Sequence, residues 1–317
     1  MVASVQVLRP REVPLGGPRA MTVRRTLPAR ERSFVGAWCF ADHYGPDDVA
    51  TSGGMDVAPH PHCGLATVSW LFSGSVEHRD SLGTVAVVRP GEVNLMTAGR
   101  GISHSEVSTA GTSVLHGAQL WVVLPSGSAG IEPRFEHHVP PVVHPADGVE
   151  ARVFVGSLWG SESPVSVETP LLGVEVVLAG GASLEVPVPD GFELGVLVDA
   201  GPVDVDGASV GVAELAVHEA GVSTVRLAAG SSGGGCCCSA ASRSGRRSSC
   251  GGTSSAGRTT RSWRRGRSGS PGPTARWRGL RTGRGVLRSG GAHPGAGAAR
   301  GAAAVAGQPG ASRRSSG

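Results

Sequence analysis

The apolar positions of this chain come in short runs. Between Val23 and Val123, stretches such as Thr67–Phe72, Thr84–Val88 and Ala118–Leu124 are rich in β-branched residues and are broken repeatedly by Gly, Pro, Asp and Asn. Runs of this length at this spacing predict the strands of a sandwich or barrel rather than βαβ units. A second β pattern runs from Ala151 to Leu227, with Leu171–Leu178, Leu194–Val198 and Val222–Leu227 as candidate strands. Between the two, Pro125–Glu150 is rich in Pro, Gly and His, including His137, His138 and His144, and reads as a linker. The expected organisation is all-β, with a first unit over residues 1–125, a linker over 126–150 and a second unit over 151–230.

From Ser231 the pattern stops. Gly, Ser, Arg and Ala dominate residues 231–317, with almost no larger aliphatic side chain and no hydrophobic period. Such a segment buries too little apolar surface to offset its chain entropy, so disorder is expected there. A reading frame displaced by one nucleotide near Gly230 would account for this composition. Restoring the frame turns Cys237 and Cys238 into leucine and gives residues 236–263 an apolar pattern. On this reading the second β unit lacks its final strand and exposes a sheet edge, which invites aggregation.

Charge divides along the same boundary. The formal charge of +4 suggests an anionic partner, but residues 1–230 hold all 25 acidic residues against 13 arginines, a net −12. Residues 231–317 hold 16 arginines and no acid, so the tail alone makes the chain basic, and no specific nucleic-acid binding is expected. The chain has no lysine, so every basic side chain apart from histidine is arginine. The body has two cysteines, Cys39 and Cys63, with no paired spacing, which favours a reducing compartment. No long apolar run suggests a signal peptide or membrane span, so a cytoplasmic protein is expected.

Candidate chemistry lies in two i, i+2 pairs, His60-Pro-His62 and His104-Ser-Glu106. Residues two apart on a strand share a face, so both pairs can converge inside a barrel. Imidazole and carboxylate together suit a first-row transition metal, and four such ligands in an octahedral shell leave two positions open. The absence of Cys from the set argues against a closed structural zinc site. His218 stands alone in the second unit and reads as a surface or satisfied residue, so no second metal is expected there. Cys63 reads as a small packing residue. His78, Arg79, Asp80 and Arg100 are candidates for a substrate mouth or for ordinary turns, and His116 for a barrel residue near the site.

Longer motifs carry a resemblance. Gly54, His60-x-His62 and Gly74 match the first cupin motif, and Pro90-Gly91 ahead of His104 is similar to the second. The run Met96-Thr-Ala-Gly-Arg-Gly-Ile-Ser-His-Ser-Glu106 resembles the pirin signature. Phe40-Ala-Asp-His-Tyr-Gly-Pro46, His78-Arg-Asp-Ser81 and Gln119-Leu-Trp-Val122 resemble further pirin landmarks in the same order. The resemblance covers most of residues 23–125 and implies a bicupin with one metallated and one empty barrel. It implies Fe(II) held by His60, His62, His104 and Glu106, with Glu106 also serving as catalytic proton acceptor. It further implies a quercetinase-type dioxygenase that takes a flavonol-like substrate and O2, or alternatively a non-catalytic, iron- or redox-responsive regulator acting through a protein partner. A monomer is expected. Two positions depart from the family pattern: Cys63 stands where pirins carry Arg, and Ala66 where they carry Glu. The lost carboxylate is expected to be a group near the metal or pocket, with a cost to affinity or activity.

Overall fold

A computed structural model describes residues 5–15 and 21–242, which form 24 strands and a single four-residue helix, Val49–Ser52. Each half of the chain folds a seven-stranded antiparallel sheet against a four-stranded one. In the first barrel the larger sheet runs in the order Arg134–His138, Val93–Thr97, Leu65–Ser73, Val114–Val123, Trp38–Asp48, Thr22–Leu27, Arg11–Pro14. The smaller sheet runs Asp56–His62, Ile102–Ser108, Val76–Asp80, Val85–Val88. The second barrel repeats this plan. Its larger sheet runs Gln6–Leu8, Leu215–His218, Phe192–Ala200, Gly234–Ser242, Leu171–Leu178, Val149–Val155, Val142–Val143, opposite a four-stranded sheet of Ser183–Pro187, Thr224–Ala229, Val203–Val205 and Ala208–Val210.

The two large sheets pack face to face. Along Leu65–Ser73, Ala66, Val68 and Trp70 enter a shared core, while Leu71 turns into the first barrel. Leu197, Leu215, Val217, Cys237 and Ala241 supply the other side of that core, and Trp70 stacks on Phe154 with ring centroids 4.7 Å apart. Trp38 donates its indole N–H to the Ala240 carbonyl at 3.2 Å across the seam. Gly36 brings the two backbones together. With φ at +53°, it sits so close to Ala241 that an added Cβ would lie 2.2 Å from that carbonyl oxygen, so only glycine fits.

Three boundaries differ from the sequence-based expectation. Arg134–His138, placed in the linker, pairs with Val93–Thr97 and belongs to the first barrel. Gln6–Leu8, assigned to the first unit, pairs with Leu215–His218 and closes the second. The second barrel does not stop at residue 230: Gly234–Ser242 lies between Leu171–Leu178 and Phe192–Ala200 and bonds to both, so the expected exposed edge is filled. Cysteine behaves as a small hydrophobe. Cys236 and Cys238 therefore fill the barrel interior while Cys237 faces the seam, as strand alternation requires. The rest of the expected disordered tail, residues 243–317, lies outside the described residues. Among the described residues no helix is long and apolar enough to cross a membrane.

Candidate metal centre

The strands Asp56–His62 and Ile102–Ser108 pair antiparallel with His104 directly opposite His60, which puts His60, His62 and His104 on one face of the small sheet. The three side chains converge. His62 Nε2 lies 3.0 Å from His60 Nε2 and 3.1 Å from His104 Nε2. For metal–nitrogen bonds of about 2.0–2.2 Å, neighbouring octahedral ligands sit about 2.8–3.1 Å apart and tetrahedral ones about 3.3–3.6 Å apart. The observed separations therefore match adjacent corners of an octahedron.

Surrounding groups set the tautomers. The Ala58 carbonyl is 3.0 Å from His60 Nδ1, so the ring donates there and leaves the Nε2 lone pair free. Asp80 Oδ2 lies 3.3 Å from His78 Nε2, and His78 Nδ1 lies 3.4 Å from His104 Nδ1. Donation to Asp80 makes His78 Nδ1 an acceptor, which takes the His104 Nδ1 proton and frees His104 Nε2. Burial, with the neighbouring His104 and His60, pulls His62 down to about 3. Burial, with His60 and His78, does the same for His104, also to about 3. Both imidazoles are consequently neutral near pH 7, the state a metal needs.

Glu106 is buried at this face but is not gathered with the three imidazoles. Its carboxylate groups instead with His78 and His104. His104 and Glu106 lie on one buried face of their strand, as the i, i+2 spacing predicts; the extra residue sits in the partner strand, where His104 faces His60 and Glu106 faces Val57. Ser69 Oγ lies 3.2 Å from Glu106 Oε1 and 2.8 Å from Gln119 Oε1, so its one proton serves either acceptor. Trp121 forms the adjoining wall, edge-on to His62 at 4.9 Å and stacked on Phe40 at 3.9 Å. Its indole N–H is buried and has no protein partner, leaving a donor available to a bound molecule.

The other sequence candidates separate. His78 is buried behind His104, and Asp80 caps the adjacent turn by accepting from Leu82 and Thr84 N–H groups. Arg79 is exposed and pairs with Glu77, and Arg100 with Glu132, so neither touches the imidazoles. Cys63 is exposed rather than packed, because it follows His62 on the opposite face as the strand ends. Ala66 faces the core between the barrels, beside Val122, Leu124, Val155 and Thr169, and not the metal-ligand face. His218 is buried and not on the surface; its Nε2 lies 3.3 Å from Asp206 Oδ2, but neither ring nitrogen makes an aligned hydrogen bond. His116 lies at the seam with His43 and Asp199. Sequence reasoning did not single out Ser69, Gln119 or Trp121 as site residues, although all three lie on predicted strands and Gln119 and Trp121 fall within a motif that carries the family resemblance. Their approach depends on a cross-strand register that period-2 patterning does not specify.

Two seven-plus-four barrels, the first holding three convergent imidazoles, define a bicupin with a cupin-type candidate metal centre in its first barrel. The profile of the family described as Pirin matches residues 20–122, and the chain belongs to that family. It is 42% identical over 212 residues to a Pseudomonas aeruginosa protein named "Putative quercetin 2,3-dioxygenase PA1205", covering 67% of each chain. It is 40% identical over 214 residues to a pirin-like protein of Caulobacter vibrioides, covering 64% of this chain and 73% of that one. Among solved structures, quercetin 2,3-dioxygenase from Acinetobacter baumannii superposes with a TM-score of 0.72 at 36% identity, over 76% of this chain and 80% of that one.

Proposed function

We propose that this protein is a metal-dependent dioxygenase of the quercetin 2,3-dioxygenase type, acting in the cytoplasm on a small flavonol-like aromatic substrate with O2. Fe(II) would be held by His60, His62, His104 and Glu106. The observation that carries this reading is the spacing of the three Nε2 atoms, 3.0 and 3.1 Å, on a face where burial keeps His62 and His104 neutral. The names carried by the Pseudomonas and Acinetobacter relatives support the substrate class.

When bound, the ion supplies a Lewis acid for an enolic oxygen and a redox-active centre for oxygen chemistry. The chain's own residues do the rest. His60 and His104 present lone pairs already oriented by Ala58 and His78. Glu106, buried beside Ser69 and grouped with His104, would complete the donor set by turning toward the ion and would take the proton of a substrate hydroxyl. Trp121 and Phe40 offer an aromatic wall, and the free indole N–H a hydrogen bond.

The test is metal content together with quercetin and O2 consumption by the Fe(II)-loaded full chain, compared with His62→Ala and Glu106→Gln. Stoichiometric consumption that is lost in both variants supports the proposal. Iron binding without turnover would favour the non-catalytic regulator, and no iron in the wild type would remove both.

A further inference from the structure

A second cluster lies on the seam between the barrels and shares no residue with the centre described above. His43 comes from Trp38–Asp48, His116 from Val114–Val123 and Asp199 from Phe192–Ala200, so the donors span both barrels. His43 and His116 each place Nε2 2.8 Å from the same oxygen, Asp199 Oδ1. His43 has no exposed side-chain surface, and His116 and Asp199 are only 12% and 11% exposed. His116 is in phase with Ala118, Leu120 and Val122 on its strand, which puts it on the seam face.

We propose that His43, His116 and Asp199 form a second transition-metal site joining the two barrels. Two imidazoles and one carboxylate suit a first-row divalent ion rather than Ca2+ or Mg2+. The 2.8 Å separations match the roughly 2.8–3.1 Å expected between adjacent octahedral ligands. His116 Nε2 is buried and, although close to Asp199, makes no aligned hydrogen bond. His43 Nε2 hydrogen-bonds Asp199 Oδ1, while His116 Nε2 approaches the same oxygen without pairing, so both imidazoles converge on one point. Asp199 also lines a cavity of about 730 Å3 between the barrels, which gives room for water to complete the shell.

Arg24 opposes the ion. It donates to His43 Nδ1 at 2.8 Å and also to the Gly45 carbonyl. With Nδ1 accepting, the ring proton sits on Nε2 and is directed at Asp199, in the place the ion would take. Metal binding moves that proton to Nδ1 and costs the Arg24 bond, while Arg24 keeps Gly45. Arg24→Gln should therefore tighten the site, because a glutamine oxygen accepts the Nδ1 proton and carries no charge.

The proposal does not depend on the dioxygenase reading. It is tested by equilibrium dialysis of the full-length chain with Zn(II), and separately with Co(II), followed by its visible spectrum. The expected result is a second bound equivalent that survives His60→Ala/His62→Ala, is lost in both His116→Ala and Asp199→Asn, and binds about tenfold or more tightly in Arg24→Gln. That gain in affinity is a readout a purely structural cluster would not give. Wild-type protein binding one equivalent or none beyond the tail's contribution would overturn the site. So would a second equivalent indifferent to His116→Ala, Asp199→Asn and Arg24→Gln.

Discussion

The Nδ1 atoms of His104 and His78 lie 3.4 Å apart, and the far nitrogen of His78 is 3.3 Å from Asp80. Asp80 thus reaches the metal-binding nitrogen of His104 through two rings, by fixing which nitrogen of each carries the proton. His78→Ala or Asp80→Asn should weaken Fe(II) or Zn(II) affinity at the first barrel by roughly ten- to a hundredfold. Competition titration against a chromophoric chelator checks this. Unchanged affinity in a folded His78→Ala protein would mean that Phe135, stacked on His78 at 4.6 Å, and not the relay, accounts for its position.

Ala66, at the position where the resemblance leads one to expect a carboxylate near the metal, has its side chain facing the core between the barrels. Ala66→Glu is expected to leave metal affinity unchanged. It should lower stability, because the space beside Ala66 is lined mostly by apolar groups, with Thr97, Ser166 and Thr169 the nearby hydroxyls. Burying a poorly paired carboxylate there should cost about 1–3 kcal/mol or more. Metal titration and thermal denaturation of one variant separate the two effects. A gain in affinity would place residue 66 at the metal after all.

Why the sequence misplaces Ala66 is instructive. Every residue from Leu65 to Leu71 is buried, since this strand has the seam core on one side and the first barrel on the other. Alternation of apolar and polar residues then carries no information about which face is which. His60 and His62 escape this because their strand lies in the small sheet, where alternation with exposed Pro61 survives. Glu106 shares the face of His104 as its spacing predicts, but its distance from His60 and His62 depends on the irregular pairing with Asp56–His62, which neither strand shows alone. The bicupin plan itself followed from strand spacing and motif order. The crossing of Gln6–Leu8 to the second barrel did not, since three residues carry too little pattern to choose a partner.

His218 predicts an acid sensitivity in the second barrel. Burial lowers its pKa, with Asp206 partly opposing, so the folded protein binds this proton less readily than the unfolded chain. The unfolded chain takes up the proton as pH falls through about 6.5, so stability is lost from there downward until the folded pKa is reached. His218→Leu removes that penalty and two unsatisfied ring nitrogens. The variant should be the more stable, with an advantage that grows between pH 7 and pH 5. Urea denaturation at both values checks it, and a constant difference would show that His218 does not titrate differently on unfolding.

The strand Gly234–Ser242 carries the second barrel past residue 230. It occupies the middle of the second barrel's large sheet, with Val174 and Val196 paired to either side of Cys238. A chain ending at residue 230 would leave Leu171–Leu178 and Phe192–Ala200 as two facing unpaired edges and would open the core that holds Cys236, Cys237 and Cys238. Such edges favour intermolecular pairing. The 230-residue form should therefore aggregate, while a form ending at 242 keeps the paired strand and should remain soluble with a cooperative melt. Size-exclusion chromatography and a thermal melt of the two truncations decide the matter: a soluble, cooperative 230-residue form would show that the three buried cysteines contribute little, and the thiol-rich strand would lose its structural role.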